Sequence, residues 1–165
     1  MKTKFDIQLT NKDLYGFNIY QTYRSGQGIL SVLIGLIVFV MAGLSFAQSN
    51  VSTAFLYILF GVVVIAYIPG SLWLRVNQTM KTNSVLSGVL HYEISEKVIK
   101  VTAGEETAEL PWELIYKFVA NDKNVLIYSN RINAYVIPRT QLGDKYESLV
   151  EIAKAQLPKY RLKIK

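Results

Sequence analysis

The sequence predicts an α+β membrane protein: a two-helix transmembrane hairpin joined to an antiparallel β domain that a C-terminal amphipathic helix caps. Three observations carry this. From Ser25 to Leu74 there is not one Asp, Glu, Lys or Arg. From Val89 onward, short runs rich in β-branched and aromatic residues alternate with polar turns. Near the end, apolar residues recur at helical spacing.

The totals narrow the chemistry. A chain of 165 residues suffices for one modest domain. It has no cysteine, which excludes disulfides and thiolate chemistry, and a single histidine, His91. A zinc site built from several His or Cys ligands cannot form within one chain. The formal net charge of +6 belongs to the flanks of the uncharged block, with four basic and two acidic residues before it and fourteen and ten after it.

The first piece, 1–24, is a strand and a helix joined to the soluble domain. Phe5, Ile7 and Leu9 alternate with polar residues, as a half-buried strand requires. Thr10 and Asp13 then have the spacing of a capping box, which places a helix over about Asn11 to Tyr23. The aromatic residues Tyr15, Phe17, Tyr20 and Tyr23 fit either the headgroup level of a bilayer or the surface of the soluble domain.

The second piece, 25–74, is the hairpin, with spans over about 28–46 and 52–74. Nineteen helical residues at about 1.5 Å each cover roughly 28 Å, close to the hydrocarbon thickness of about 30 Å. The connection between the spans is too short for anything but an antiparallel pair. Arg24 stands just before the first span and Arg75 just after the second, while the connection has no basic residue. Positive-inside reasoning therefore puts both termini in the cytoplasm, and Arg24, Trp73 and Arg75 read as membrane-interface anchors. Pro69-Gly70 predicts a kink or an end of the second helix. Ser31, Gly35 and Ala42 share a face, but the general abundance of small residues in membrane helices accounts for them. With no charge in the spans, a relay of ionised groups is not expected there.

The third piece, 75–88, continues the helix and then links to the fourth, 89–165. There "VLHYEI", "VIKVTA", "ETAEL", "NVLIYS" and "NAYVIP" follow one another across tight polar turns, which predicts an antiparallel meander. In "ELPWELIYKF" the even positions Leu110, Trp112, Leu114, Tyr116 and Phe118 read as one inward face. Pro111 predicts a bend or edge, with Trp112 packed at the corner. Tyr146, Leu149, Val150, Ala153 and Leu157 form one apolar stripe, and the spacing of Asp144 and Glu147 predicts a capped start. Pro158 ends the helix.

These features resemble the YcxB-like family of small bacterial membrane proteins. The resemblance rests on the N-terminal strand and helix, the early hairpin, Leu110-Pro111-Trp112 with Ile115, and Ala134-Tyr135-Val136-Ile137-Pro138-Arg139 before the last helix. It implies a cytoplasmic domain similar to bacterial pleckstrin-homology (PH)-like domains, set behind two spans of the bacterial cytoplasmic (inner) membrane. It carries no catalytic residues with it. Arg139-Thr140-Gln141-Leu142 departs from the family pattern, where further basic or aromatic residues follow.

Nothing in the residues reads as an enzyme. His91 lies in a strand without a visible partner, and Glu105-Glu106 sits at a turn. No serine or threonine stands in a nucleophile motif. No cofactor, metal or nucleic acid is expected. The end, "KAQLPKYRLKIK", carries five basic residues and no acidic one. Such charge near a membrane draws an anionic leaflet at about 1 kcal/mol per residue. The expected function is a membrane-anchored, non-catalytic binding or adaptor module whose partner is anionic lipid, another protein or a second copy of itself. Its candidate contacts are Arg131, Arg139, Lys159, Arg161, Lys163 and Lys165. The alternative is a structural or assembly subunit of a larger membrane complex.

Overall fold

Alternating apolar residues build the first sheet. Strands β1 (Lys2–Gln8), β2 (Val89–Ser95), β3 (Val98–Ala103) and β4 (Glu106–Pro111) pair in that order, each antiparallel to the next. Successive side chains of a strand point to opposite faces. Thr3, Phe5 and Ile7 of β1 are therefore buried together with Leu90, Tyr92 and Ile94 of β2 and Ile99 and Val101 of β3. Burying each large apolar side chain contributes about 1.5–3 kcal/mol. The outer strand β4 buries none of its residues fully. The computed structural model describes residues 2–165; Met1, the first residue of the expected segment 1–24, lies outside the described residues.

The second sheet reads differently. Strands β5 (Lys117–Ala120), β6 (Asn124–Tyr128), β7 (Ala134–Pro138) and β8 (Leu162–Ile164) lie in the order β7-β6-β5-β8. Phe118, Val119 and Ala120, then Val125 to Tyr128, are buried consecutively. Unbroken burial means that both faces of these strands are covered. The Tyr92 and Tyr135 rings meet edge to face with centroids 6.4 Å apart, so the two sheets touch through their inner faces. Strand β8 pairs parallel to β5, a strand that the sequence reading did not assign.

Turns and termini follow local chemistry. Asn121 Oδ1 accepts from the backbone of Lys123 and Asn124, and Asn130 Oδ1 accepts from Ile132 and Asn133. Gly104 takes φ +59° between β3 and β4, a conformation side-chain-bearing residues resist. Helix α6 (Lys145–Gln156) buries Leu149, Val150, Ile152 and Ala153. The expected cap from Asp144 is not made: its carboxylate meets Lys145 Nζ at 3.1 Å instead, and Asp144 itself has helical angles. A residue already wound into the helix cannot turn its side chain back to the first free N–H groups.

The corner between the sheets corrects the sequence reading. Trp112–Leu114 form a turn of 3-10 helix between β4 and β5. Such a turn advances three residues per revolution and breaks the even-odd alternation. Ile115 is 0% exposed, whereas Leu114 is 63% exposed and Tyr116 also lies outside. Trp112 is buried as expected, and its indole Nε1 donates to Ser95 O at 2.8 Å.

The chain divides into two units, Met1–Leu14 with Thr79–Lys165, and Tyr15–Gln78. Helix α1 (Asn11–Tyr23) starts with the expected capping box: Thr10 N donates to Asp13 Oδ2 at 3.0 Å and Asp13 N to Thr10 Oγ1 at 3.3 Å. Helices α2 (Gly26–Ala47) and α3 (Val51–Thr82) are the two long apolar helices, each long and apolar enough to cross a membrane. Helix α3 runs through Pro69 rather than ending there. Between α2 and α3, small residues prove to be packing surfaces rather than composition alone. Gly35 and Ala42 of α2 are buried, as are Ala54 and Gly61 of α3. A Cβ on Gly35 would come within 2.7 Å of Ile65, and one on Gly61 within 3.1 Å of the Phe39 ring. Gly43 faces open space.

Candidate functional site

The β unit offers three places for function: its outer face, its basic segments and the seam between its sheets. On the outer face, register aligns Lys4, Glu93, Lys100 and Glu109 in one row across four strands. Glu93 meets Lys2 Nζ at 2.5 Å and Lys4 Nζ at 2.7 Å, and Lys100 meets Glu109 at 3.4 Å. Hydrogen bonds from Lys2 and Lys4 hold the Glu93 carboxyl down at about 2. Opposite charges paired across neighbouring strands stabilise a sheet modestly.

The next row contains Asp6, His91, Thr102 and Thr107. His91 Nδ1 lies 2.7 Å from Asp6 Oδ1, a partner 85 residues away that sequence spacing could not reveal. The hydroxyls of Thr102 and Thr107 are 3.1 Å apart. The pair has the donor–acceptor geometry of a catalytic dyad, but both members are exposed to water, and the hydroxyls across the row pair with each other. Glu105 lies on the neighbouring turn and Glu106 opens β4, and no three His, Cys, Asp or Glu residues among the described residues could hold a metal ion.

The six candidate cations are divided between roles. Arg139 opens the short helix α5 (Arg139–Leu142), the fifth helix after α4 (Ser84–Ser87), and its guanidinium lies 4.0 Å from the centre of the Tyr146 ring. Arg161 donates to Glu113 O at 3.1 Å and Ile115 O at 2.9 Å, pinning the corner that holds Trp112. Both arginines are thus tied into the fold, a use that their charge alone did not signal. Arg131 is exposed in the β6–β7 loop. Lys159 and Lys163 are exposed on the turn and strand at the end of the chain, next to the exposed Tyr160. Lys165 is exposed while its backbone N–H donates to Ala120 O at 3.0 Å. The other three named residues lie in the helical unit: Arg24 donates to Tyr20 at 3.1 Å, and Trp73 and Arg75 are exposed on α3.

The seam is the feature the sequence reading missed. Tyr92 is buried there, and its hydroxyl has no hydrogen-bond partner among the described residues. Burial first, and then the neighbouring Tyr135, push its phenol well above the ordinary value. The parity of β2 places Tyr92 inward between Leu90 and Ile94, which was the available signal.

Comparison with known proteins adds one finding. Residues 94–153 match the model of the family described as YcxB-like protein. The matched segment runs from the end of β2 into α6, so it includes Trp112, Arg131, Tyr135 and Arg139. It leaves out β1, the two long apolar helices and the basic end of the chain. No curated protein and no solved structure matches the chain.

Proposed function

We propose that this chain is a two-span protein of the bacterial cytoplasmic membrane that presents a PH-like domain on the cytoplasmic side as a non-catalytic binding module. The observation that carries it is the state of α2 and α3. In the most apolar stretch of each helix only 11% of residues are buried, so large side chains such as Leu36, Ile37, Phe55 and Leu59 face outward. Helices that expose apolar side chains on this scale are at home in lipid. The PH-like reading is supported by a four-stranded antiparallel sheet, then three antiparallel strands of a second sheet, then a helix. The orientation is supported by Arg24 and Arg75 outside an uncharged stretch.

On this reading the module meets the anionic leaflet through Lys159, Lys163 and Lys165 with Tyr160 among them. Reporter fusions at Asn50 and at Lys165 test the arrangement. Opposite sides are expected, and a same-side result would overturn the hairpin. Assembly into a larger membrane complex is a second reading, favoured by Ile132, Leu114 and Tyr160, large apolar side chains exposed on the β unit. Purification in mild detergent separates the two. A monomer without a companion protein counts against assembly.

A further inference from the structure

The first sheet ends at β4 with a bare edge. This strand lies last in the order β1-β2-β3-β4, and Glu106 to Glu109 are all exposed. The two-residue turn Gly104-Glu105 makes the flanking Ala103 and Glu106 a hydrogen-bonded pair. Such pairs alternate along an antiparallel ladder, so Val101 with Ala108 and Ile99 with Leu110 are the next ones. Thr102 and Thr107 form the intervening kind, whose side chains lie closer, and their hydroxyls are 3.1 Å apart. The backbone N–H and C=O of Thr107 and Glu109 therefore point away from β3, and none of the described residues bonds them. The opposite edge of the sheet is served differently. There Gln8 N of β1 donates to Gln141 Oε1, and Gln141 Nε2 donates to Gln8 O, both at 2.9 Å.

The core side of the sheet is also unfinished at β4. Residues opposite each other in a pair share a face, so Ala108 stands on the core side with Val101. Val101 is 6% exposed, yet Ala108 is open to solvent. Beside them lies a cavity of about 270 Å³ with Leu86, Leu90, Val101, Ala108 and Tyr135 in its walls. An apolar cavity of about 150 Å³ holds benzene, so this one admits a phenylalanine or leucine side chain. Charge adds a further selection. Glu105, Glu106 and Glu109 stand along the turn and the strand, and Glu109 meets Lys100 at 3.4 Å. Two β4 strands side by side would set like charges against each other, which works against a second β4 as the occupant.

Groups alternating along an edge in this way are matched by another extended backbone. We propose that β4 accepts, as a fifth strand of its sheet, an extended segment of a partner protein in which basic residues alternate with large apolar ones. The residue opposite Ala108 sends an apolar side chain into the cavity. Its two neighbours bond the backbone of Thr107 and Glu109 and set basic side chains beside Glu109 on the outer face. Pro111, which has no N–H to offer, ends the stretch. The second sheet already holds a strand of this composition, since Leu162-Lys163-Ile164 lies along β5. The site lies wholly within the β unit and makes no use of α2, α3 or a bilayer.

The heptapeptide Lys-Val-Lys-Phe-Lys-Val-Lys, blocked at both ends, tests this with the full chain in an uncharged detergent. Amide hydrogen exchange is read residue by residue by fragmentation mass spectrometry. At saturating peptide, the amides of Thr107 and Glu109 should exchange about tenfold more slowly than in the free chain. N-methylation of the two lysines that flank the phenylalanine removes the N–H groups facing β4 and should abolish this protection. N-methylation of the two valines, whose N–H groups face away, should leave it. A peptide with glutamate in place of lysine should give none. Glu109→Lys should weaken binding about tenfold. Ala108→Trp, which closes the cavity beside the edge, should abolish it. Both positions are exposed, so neither change disturbs the core. No protection at millimolar peptide overturns the site. So does protection indifferent to the place of the methyl groups or to the sign of the charge, or unchanged in both variants.

Discussion

Alanine at Ile115 and at Leu114 separates the observed corner from the strand that simple alternation predicts. Ile115 is fully buried beneath the 3-10 turn, and Leu114 is mostly outside. Ile115→Ala removes three buried carbons, about 0.8 kcal/mol each by transfer, and leaves a cavity that adds to the loss. The expected cost is about 3 kcal/mol. Leu114→Ala removes as many carbons from a side chain 63% exposed, so its expected cost is below about 1 kcal/mol. Urea unfolding of the full chain in mild detergent reads the difference. Replacing Trp73 by phenylalanine leaves Trp112, at the corner itself, as the single tryptophan, read by selective excitation at its red edge. At slopes of about 1–3 kcal/mol per molar urea, Ile115→Ala should lower the midpoint by about 1–3 M, and Leu114→Ala should hardly move it. Equal shifts, or a larger one for Leu114→Ala, would refute the corner as described.

Two further outcomes are expected. The Glu93 carboxyl is held at about 2, below its ordinary 4.5, so its ion pairs contribute stability that is complete above about pH 4.5 and lost as pH falls through about 2. Urea midpoints of the chain and of Glu93→Gln should thus differ most near neutrality and converge in acid, by a modest amount for so exposed a pair. In the hairpin, Gly35→Leu should force α2 from α3, while Gly43→Leu, which points into open space, should not. Since the chain has no native cysteine, Phe39→Cys with Gly61→Cys and a short thiol crosslinker reports the spacing: crosslinking should fall only in the Gly35 variant.

Elements with a repeating pattern were legible in the sequence. The alternation at Phe5 and Ile7 and at Leu90, Tyr92 and Ile94 is the alternation of burial in β1 and β2. The uncharged block is the pair of long apolar helices. What escaped has no period. A single 3-10 turn exchanged Ile115 for Leu114 and Tyr116 as the inward residue. Three residues, Leu162-Lys163-Ile164, are too few and too basic to announce β8, which exists because β5 has a free side to pair with. Gly35 looked like ordinary composition until Ile65 was found against it. Pairings across the chain, such as Asp6 with His91 or Arg161 with the carbonyls of Glu113 and Ile115, are products of the fold. The unpaired hydroxyl of Tyr92 is equally a property of its surroundings, since the residue type alone does not tell a served phenol from an orphan.

Strand β1 pairs along its length with β2, Thr3 opposite Ile94 and Gln8 opposite Val89, although both long apolar helices lie between them in the chain. The order of synthesis gives this pairing a meaning. The first strand emerges early and waits without a partner until the helices and β2 have followed. Closing so long a loop is slow, and until then the edge of β2 is open to other strands. Only a chain whose helices have folded back brings the two strands together. Completion of the sheet thus requires the intervening helices to bring their two ends together, and a molecule in which they do not is left with a bare strand edge, a template for pairing with other chains.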